Sequence, residues 1–214
     1  MSDYGTMQAR IGNELERSDT TSLGYIASEI LSAIRHYETE RFWFNEEVAT
    51  TSTVADQSNY ALPTDFIYDD HMTVTVSGRK YPVFPRTYQE IADVDETTFS
   101  GYPSIYAIHK EEFRLYPTPN GVYTLTHAYV KSLSSLSADA DTNAWMVEAE
   151  PLIRARARAA FKCNYLYDQM AYGEKQGFQM RGEDFLSHDE KSAYMALKQR
   201  TNLAVGSSRN RGSW

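Results

Sequence analysis

The spacing of apolar residues changes period twice along the chain. Met7, Ile11 and Leu15 stand four apart, which predicts a short amphipathic helix over residues 6–17. SDTTS interrupts it, and Asp19, Thr20 or Thr21 can cap a second helix over 23–41. Leu23, Ile26, Ile30, Ile34 and Tyr37 form its apolar stripe, with Glu29, Arg35, Glu38 and Arg41 largely off it. At Phe42–Phe44 the period shifts from helix to strand. Val48, Thr50, Ser52 and Val54 then alternate with polar or small neighbours, a β pattern that continues to Leu133.

Inside that stretch lies YALPTDF, residues 60–66. Pro63 has no amide hydrogen and holds Leu62 extended, so Tyr60 and Leu62 end one strand. Thr64 or Asp65 turns the chain, and Phe66 opens the next strand. HMTVTVSGRKYPVF reads as two strands around a Ser77–Gly78 hairpin turn. RTYQEIADVD reads as a short helix or a wide loop. SIYAIH, EFRLYP and VYTLTHAYV are three further strands. PTPNG separates the last two, and Asn120–Gly121 can supply positive φ there. In VYTLTHAYV, Tyr123, Leu125, His127 and Tyr129 share one face.

The polar linker 132–143 leads to Trp145 and a long helix over 147–172. Leu152, Ala155, Ala159, Cys163, Leu166 and Met170 mark one face of it, with small residues that let another helix approach. Glu150, Arg154, Arg158 and Lys162 run four apart on a second face. A last helix is predicted over 183–203, with Phe185, Tyr194 and Leu197 for packing. The predicted class is α+β: an α-helical bundle of N- and C-terminal helices with an inserted antiparallel β-rich region. Its parts are 1–45 and 134–204 for the bundle, 46–133 for the insertion and 205–214 for a flexible C-terminal tail, in one domain overall.

The totals narrow the function. The chain has 214 residues, 42% apolar and 23% charged, with 21 basic against 29 acidic side chains for a net charge of −8. That balance disfavours a general DNA-binding surface, which needs many cations to displace counterions. No run approaches the roughly 18–20 apolar residues of a membrane span, and the amino end predicts no signal peptide. Cys163 is the sole cysteine, so no internal disulfide forms. Its place in an apolar stripe favours core packing over nucleophilic work.

Candidate chemistry is sparse. No phosphate-cradling glycine loop, nucleophile elbow or zinc-protease motif occurs. His36, His71, His109, His127 and His188 are scattered, and neighbours in Asp69–His71 point to opposite faces of a strand. No cofactor or metal is expected. Glu46, Glu47, Asp65, Asp69 and Asp70 are a weak supply for the carboxylate pair of a glycosidase. Arg154, Arg158 and Lys162 fit a solvated helix face, a salt-bridging face toward a neighbouring subunit, or a DNA contact. The 16 tyrosines, three tryptophans and nine phenylalanines fit core and interface anchors better than a stacking platform, which needs a basic groove. RNRGSW pairs two arginines with a terminal Trp214, either an arm that orders on a partner or an end folded back on its own helix.

Several stretches together resemble the head-to-tail adaptor (connector) proteins of tailed bacteriophages, the short-tailed type above all. They are ERFWFNE at 40–46, YALPTDF, TVTVSGRKYPV, GYPSIYAI, EFRLYPTPNGVYTL, SADADTNAW and LIRARA, in that order over nearly the whole chain. The resemblance implies a virion protein assembled in the host cytoplasm, with no shared catalytic motif. It implies a homo-oligomeric ring of twelve copies beneath the portal protein, meeting a tail tube or nozzle protein and extending the DNA channel for genome retention and ejection. Double-stranded DNA would pass without sequence-specific binding, and no membrane is involved. The bundle would form the ring wall and the β insertion would point to the tail. Carried onto this chain, Arg209, Arg211 and Trp214 are candidates for the portal contact, and Ser77, Gly78, Asn120 and Gly121 for the tail-side contact. Arg154, Arg158 and Lys162 are candidates for subunit packing. A virion-associated peptidoglycan hydrolase using paired carboxylates is the alternative, and a DNA-binding accessory factor is a third reading.

Overall fold

The computed structural model describes residues 2–94, 99–166 and 188–209, with side chains as far as Asn202. The chain forms two compact units, one of residues 1–45 and 133–214 and the other of 46–132.

In the first unit, α1 spans Tyr4–Glu14 and α2 spans Thr20–Tyr37. Asp3 and Asp19 cap them, accepting hydrogen bonds from the amides of Thr6 (2.7 Å) and Ser22 (2.9 Å). α1 ends before the expected Arg17 because Glu16 adopts φ 54° and the Arg17 amide reaches back to the Gly12 carbonyl at 2.8 Å. α2 buries Ile26, Ile30, Ala33, Ile34 and Tyr37. It stops at Tyr37, four residues short of the expected end. Asn45, fully buried, closes the turn that follows, accepting from the Phe42 amide and donating to the Glu40 carbonyl, each at 2.8 Å.

The long helix expected over 147–172 is broken. α4 spans Ala144–Val147 and α5 spans Glu150–Tyr165. Pro151, in the first turn of α5, has no amide hydrogen to donate and its ring crowds the preceding turn, so a helix can start there but not run through. Met170 and the rest of that prediction beyond Leu166 lie outside the described residues. α6 spans His188–Arg209; Phe185 falls outside the described residues, as do 210–214. Residues 205–209, expected in the flexible tail, are helical. α5 packs against α2 and α6, and α1 against α2 and α5. Met7, Ile11, Ile26, Ile30, Phe42, Trp145, Met146, Leu152, Ile153 and Phe161 make their common core. Leu197 joins it and Tyr194 packs on its margin.

In the second unit, β1 (Glu46–Ser52), β2 (Asn59–Ala61), β3 (Phe66–Val76), β4 (Arg79–Pro85), β6 (Ile105–His109), β7 (Glu112–Tyr116) and β9 (Thr124–Lys131) form one sheet. The strand order is β1-β9-β3-β4-β6-β7-β2. β5 (Ser100–Gly101) and β8 (Thr118–Pro119) pair separately, and α3 spans Tyr88–Ala92 behind a Thr87–Glu90 capping box. The expected antiparallel sheet is mixed: β4 and β6 run parallel, Phe84 opposite Ile105, because the α3 crossover separates them. β1 and β2 are opposite edges of the order, yet only residues 53–58 connect them. Seven strands laid flat span about 29 Å at ~4.8 Å per spacing. Six linking residues bridge at most about 24 Å, so the sheet must curl. Tyr60 of β2 and Leu125 of β9 accordingly share one core with Met72, Val74, Val83, Tyr106, Phe113 and Leu115.

YALPTDF is a corner of this sheet. Tyr60 lies in β2, the Leu62 amide still bonds the Glu111 carbonyl (2.9 Å), and the Phe66 amide closes a turn onto the Pro63 carbonyl (3.1 Å). Phe66 then begins β3.

Candidate assembly surfaces

The register of the long strands gives the β unit two distinct ends. Glu46 pairs with Val130 and Phe66 with Lys131, so the chain enters and leaves the sheet on neighbouring strands at one end, here called proximal. Ser52 pairs with Thr124, and Thr124 with Thr75, at the opposite, distal end. Both pairs of turn residues singled out from sequence sit at that distal end. Ser77 (φ 48°) and Gly78 (φ 80°) form the β3–β4 turn, with successive left-handed residues as a type I′ hairpin requires. Gly121 accepts from the Thr53 hydroxyl at 2.8 Å, and Asn120 accepts from the Tyr123 hydroxyl at 2.5 Å. Neither Asn120 nor Gly121 has the expected positive φ. PTPNG is no hairpin turn, since β7 and β9 do not pair and Thr118–Pro119 is held against Ser100–Gly101. Val54 and Val122 are 54% and 77% exposed on the same rim.

The proximal end is acidic and internally satisfied. Asp65 accepts from the Tyr129 hydroxyl at 2.9 Å. Burial first, and then Asp65, push the Tyr129 phenol up to about 12. Glu47 pairs with Lys131 at 2.5 Å; that hydrogen bond and a second from the Val48 amide hold its carboxyl below the usual range. Asp69 lies 2.6 Å from His127 Nε2 and also accepts from the Tyr106 hydroxyl. Burial and then that carboxylate drive the Tyr106 phenol far above its usual range. His127 is thus the partner of Asp69, while His71 stands opposite Ala128. Among the described residues no three potential ligands stand together as a metal site. Three of the five carboxylates considered for hydrolysis are tied to named partners of their own sheet.

In the helical unit the basic stripe is similarly engaged. Arg154 pairs with Glu14 and, at 3.0 Å, with Glu150; Arg158 spans Glu14 (3.1 Å) and Asp189 (2.7 Å). One row of α5 therefore ties α1 to α6. Lys162, half-buried, makes no ion pair among the described residues. Deeper in, Glu190 of α6 is fully buried, receiving the Tyr37 hydroxyl at 2.6 Å and Arg156 Nη1 at 2.9 Å. Burial, then Glu190, raises the Tyr37 phenol far above its usual range. Glu29, placed off the stripe from sequence, is buried and accepts from Asn164 Nδ2 at 3.0 Å. Its spacing of three from Ile26 was the signal. Cys163, next to Asn164 in sequence, is half-buried. Of the portal candidates, Arg211 and Trp214 lie outside the described residues, and Arg209 ends α6 without a described side chain.

Both units are tied internally by acid–base pairs, and among the described residues their exposed features include turns, charges, valines and aromatic side chains such as Phe84, Phe99 and Tyr102. The family model of the SU10 adaptor proteins matches residues 2–204. The chain belongs to that family. It is a phage head–tail adaptor, a structural protein of the virion. No curated protein matches the adaptor's sequence individually. Among the described residues, no adaptor helix is long and apolar enough to cross a membrane.

Proposed function

We propose that copies of this adaptor form a ring, of twelve subunits, that joins the portal to the tail tube or nozzle and continues the DNA channel. The match to the adaptor family over residues 2–204 carries this reading. The helices of 1–45 and 134–204 form the bundle of the ring wall. The β insertion offers its distal rim, with Ser77, Gly78, Asn120 and Gly121, to the tail side. Arg209, Arg211 and Trp214 reach the portal. The acidic balance of 29 to 21 charged residues supports passage of duplex DNA without adsorption. Of the basic stripe, Lys162 is the member left to meet a neighbouring subunit, because Arg154 and Arg158 bind within their own chain.

Light scattering after size exclusion, with and without the portal protein of the same genome, tests the reading. A shift from a small species to a portal-bound ring, lost when 210–214 are deleted, is the expected result. An unchanged mass in the presence of portal overturns it.

A further inference from the structure

The distal rim of the sheet differs in charge from the rest of its unit. Across residues 46–132, acidic side chains outnumber basic ones two to one (twelve to six). The proximal end holds Glu46, Glu47, Asp65, Asp69 and Asp70 with Lys131, and Lys110 and Glu111 line a cavity there with Phe66 and Ile67. At the distal end the exposed Asp56 is held by its amide to the Pro119 carbonyl at 2.9 Å, and Arg79 and Lys80 follow the hairpin turn directly. Both are exposed, and neither makes an ion pair among the described residues. Their backbone is fixed by pairing with Val76 and Thr75 and by the left-handed turn before them. Across the same rim lie Val122 and Val54, more than half exposed. From β1 to β4 this edge spans three strand spacings, about 14 Å.

We propose that this rim is a docking surface for an acidic segment of the tail-side protein, whose carboxylates meet Arg79 and Lys80 while apolar side chains cover Val54 and Val122. The proposal rests on the reading above, in which the distal rim faces the tail. Unpaired cations on an otherwise acidic unit select a partner of opposite charge and repel a second acidic surface. Duplex DNA fits less well. Two cations release few counterions, and the net charge of −8 opposes approach. A carboxylate needs only one charge-assisted hydrogen bond to each.

The test uses the full-length adaptor and the separately purified tail-tube and nozzle proteins of the same genome, with binding measured at about 0.05 M and about 0.5 M salt. The unaltered adaptor is expected to bind one of them, more weakly at high salt. R79E/K80E is expected to weaken that binding about tenfold or more, with portal binding retained as proof of folding. R79A/K80A should fall between the two. Equal tail-protein affinity of all three forms overturns the proposal and leaves the adaptor reading standing. Retention of a short duplex by the unaltered protein, lost in R79E/K80E with tail binding intact, assigns the rim to DNA and also overturns it. No binding of either tail protein by the unaltered adaptor overturns the proposal together with the tail-side reading.

Discussion

Glu190→Ala is the most informative single perturbation of the helical unit. The carboxylate is fully buried, and the side chain of Arg156 that it holds is 14% exposed. Removal leaves a guanidinium facing a core without its counter-charge and strands the Tyr37 hydroxyl. Breaking a buried pair from one side costs ~3–5 kcal/mol. Partial access of Arg156 to water places this case at the lower end, and the lost tyrosine bond adds about 1 kcal/mol. The expected total is about 3–4 kcal/mol. Tyr37→Phe removes one hydrogen bond but keeps the ion pair, so about 1.5 kcal/mol is expected. All three tryptophans lie in residues 1–45 and 133–214, so their fluorescence reports on this unit during urea unfolding. With a slope of ~2 kcal/mol/M, the Glu190→Ala midpoint should fall by about 1.5–2 M. A change below about 0.5 kcal/mol, the usual range for surface substitutions, would show that Glu190 is not the tie between α6 and the core.

Other predictions address the remaining ties. Asp69→Asn should destabilise the β unit by about 2 kcal/mol, since His127 and Tyr106 both lose an ionised acceptor; hydrogen exchange of β3 and β9 amides reads this out, and unchanged protection contradicts it. Gly12→Ala should cost about 1–3 kcal/mol, because a Cβ would stand 2.6 Å from the Arg17 carbonyl oxygen and 3.0 Å from Leu23 Cδ2; an unshifted thermal midpoint refutes it. The Tyr129 phenol is raised to about 12, so its contribution to stability is complete below the ordinary tyrosine range near 10 and is lost as pH rises through about 12. Absorbance titration should show one such group disappear in Tyr129→Phe, and the alkaline loss of stability between those values should flatten.

The sequence made the local elements readable wherever one physical rule acted alone. Asp19 caps α2 as its side-chain chemistry dictates, Ser77–Gly78 turns β3 into β4, and Pro63 ends a strand because it cannot donate to a ladder. Boundaries failed where a second rule competed. Pro151 split a helix that apolar periodicity ran through, and Asn45 closed a turn within the predicted reach of α2. The parallel β4–β6 pairing and the curl of the sheet depend on how distant strands meet, which no local period encodes. The same holds for the ties. Tyr37 and Glu190 lie 153 residues apart, and Asp69 and His127 58 apart, so only the folded chain places them together. Turn residues 77–78 and 120–121 were legible as turns, but their shared position on one rim came from strand register.

Electron cryomicroscopy of the virion neck tests the central claim most directly. The account predicts a ring of this chain between portal and tail, with the carboxyl ends of the subunits against the portal and the Ser77–Gly78 turns against the tail. A neck in which the β units face the portal, or in which this chain forms no ring, would contradict it.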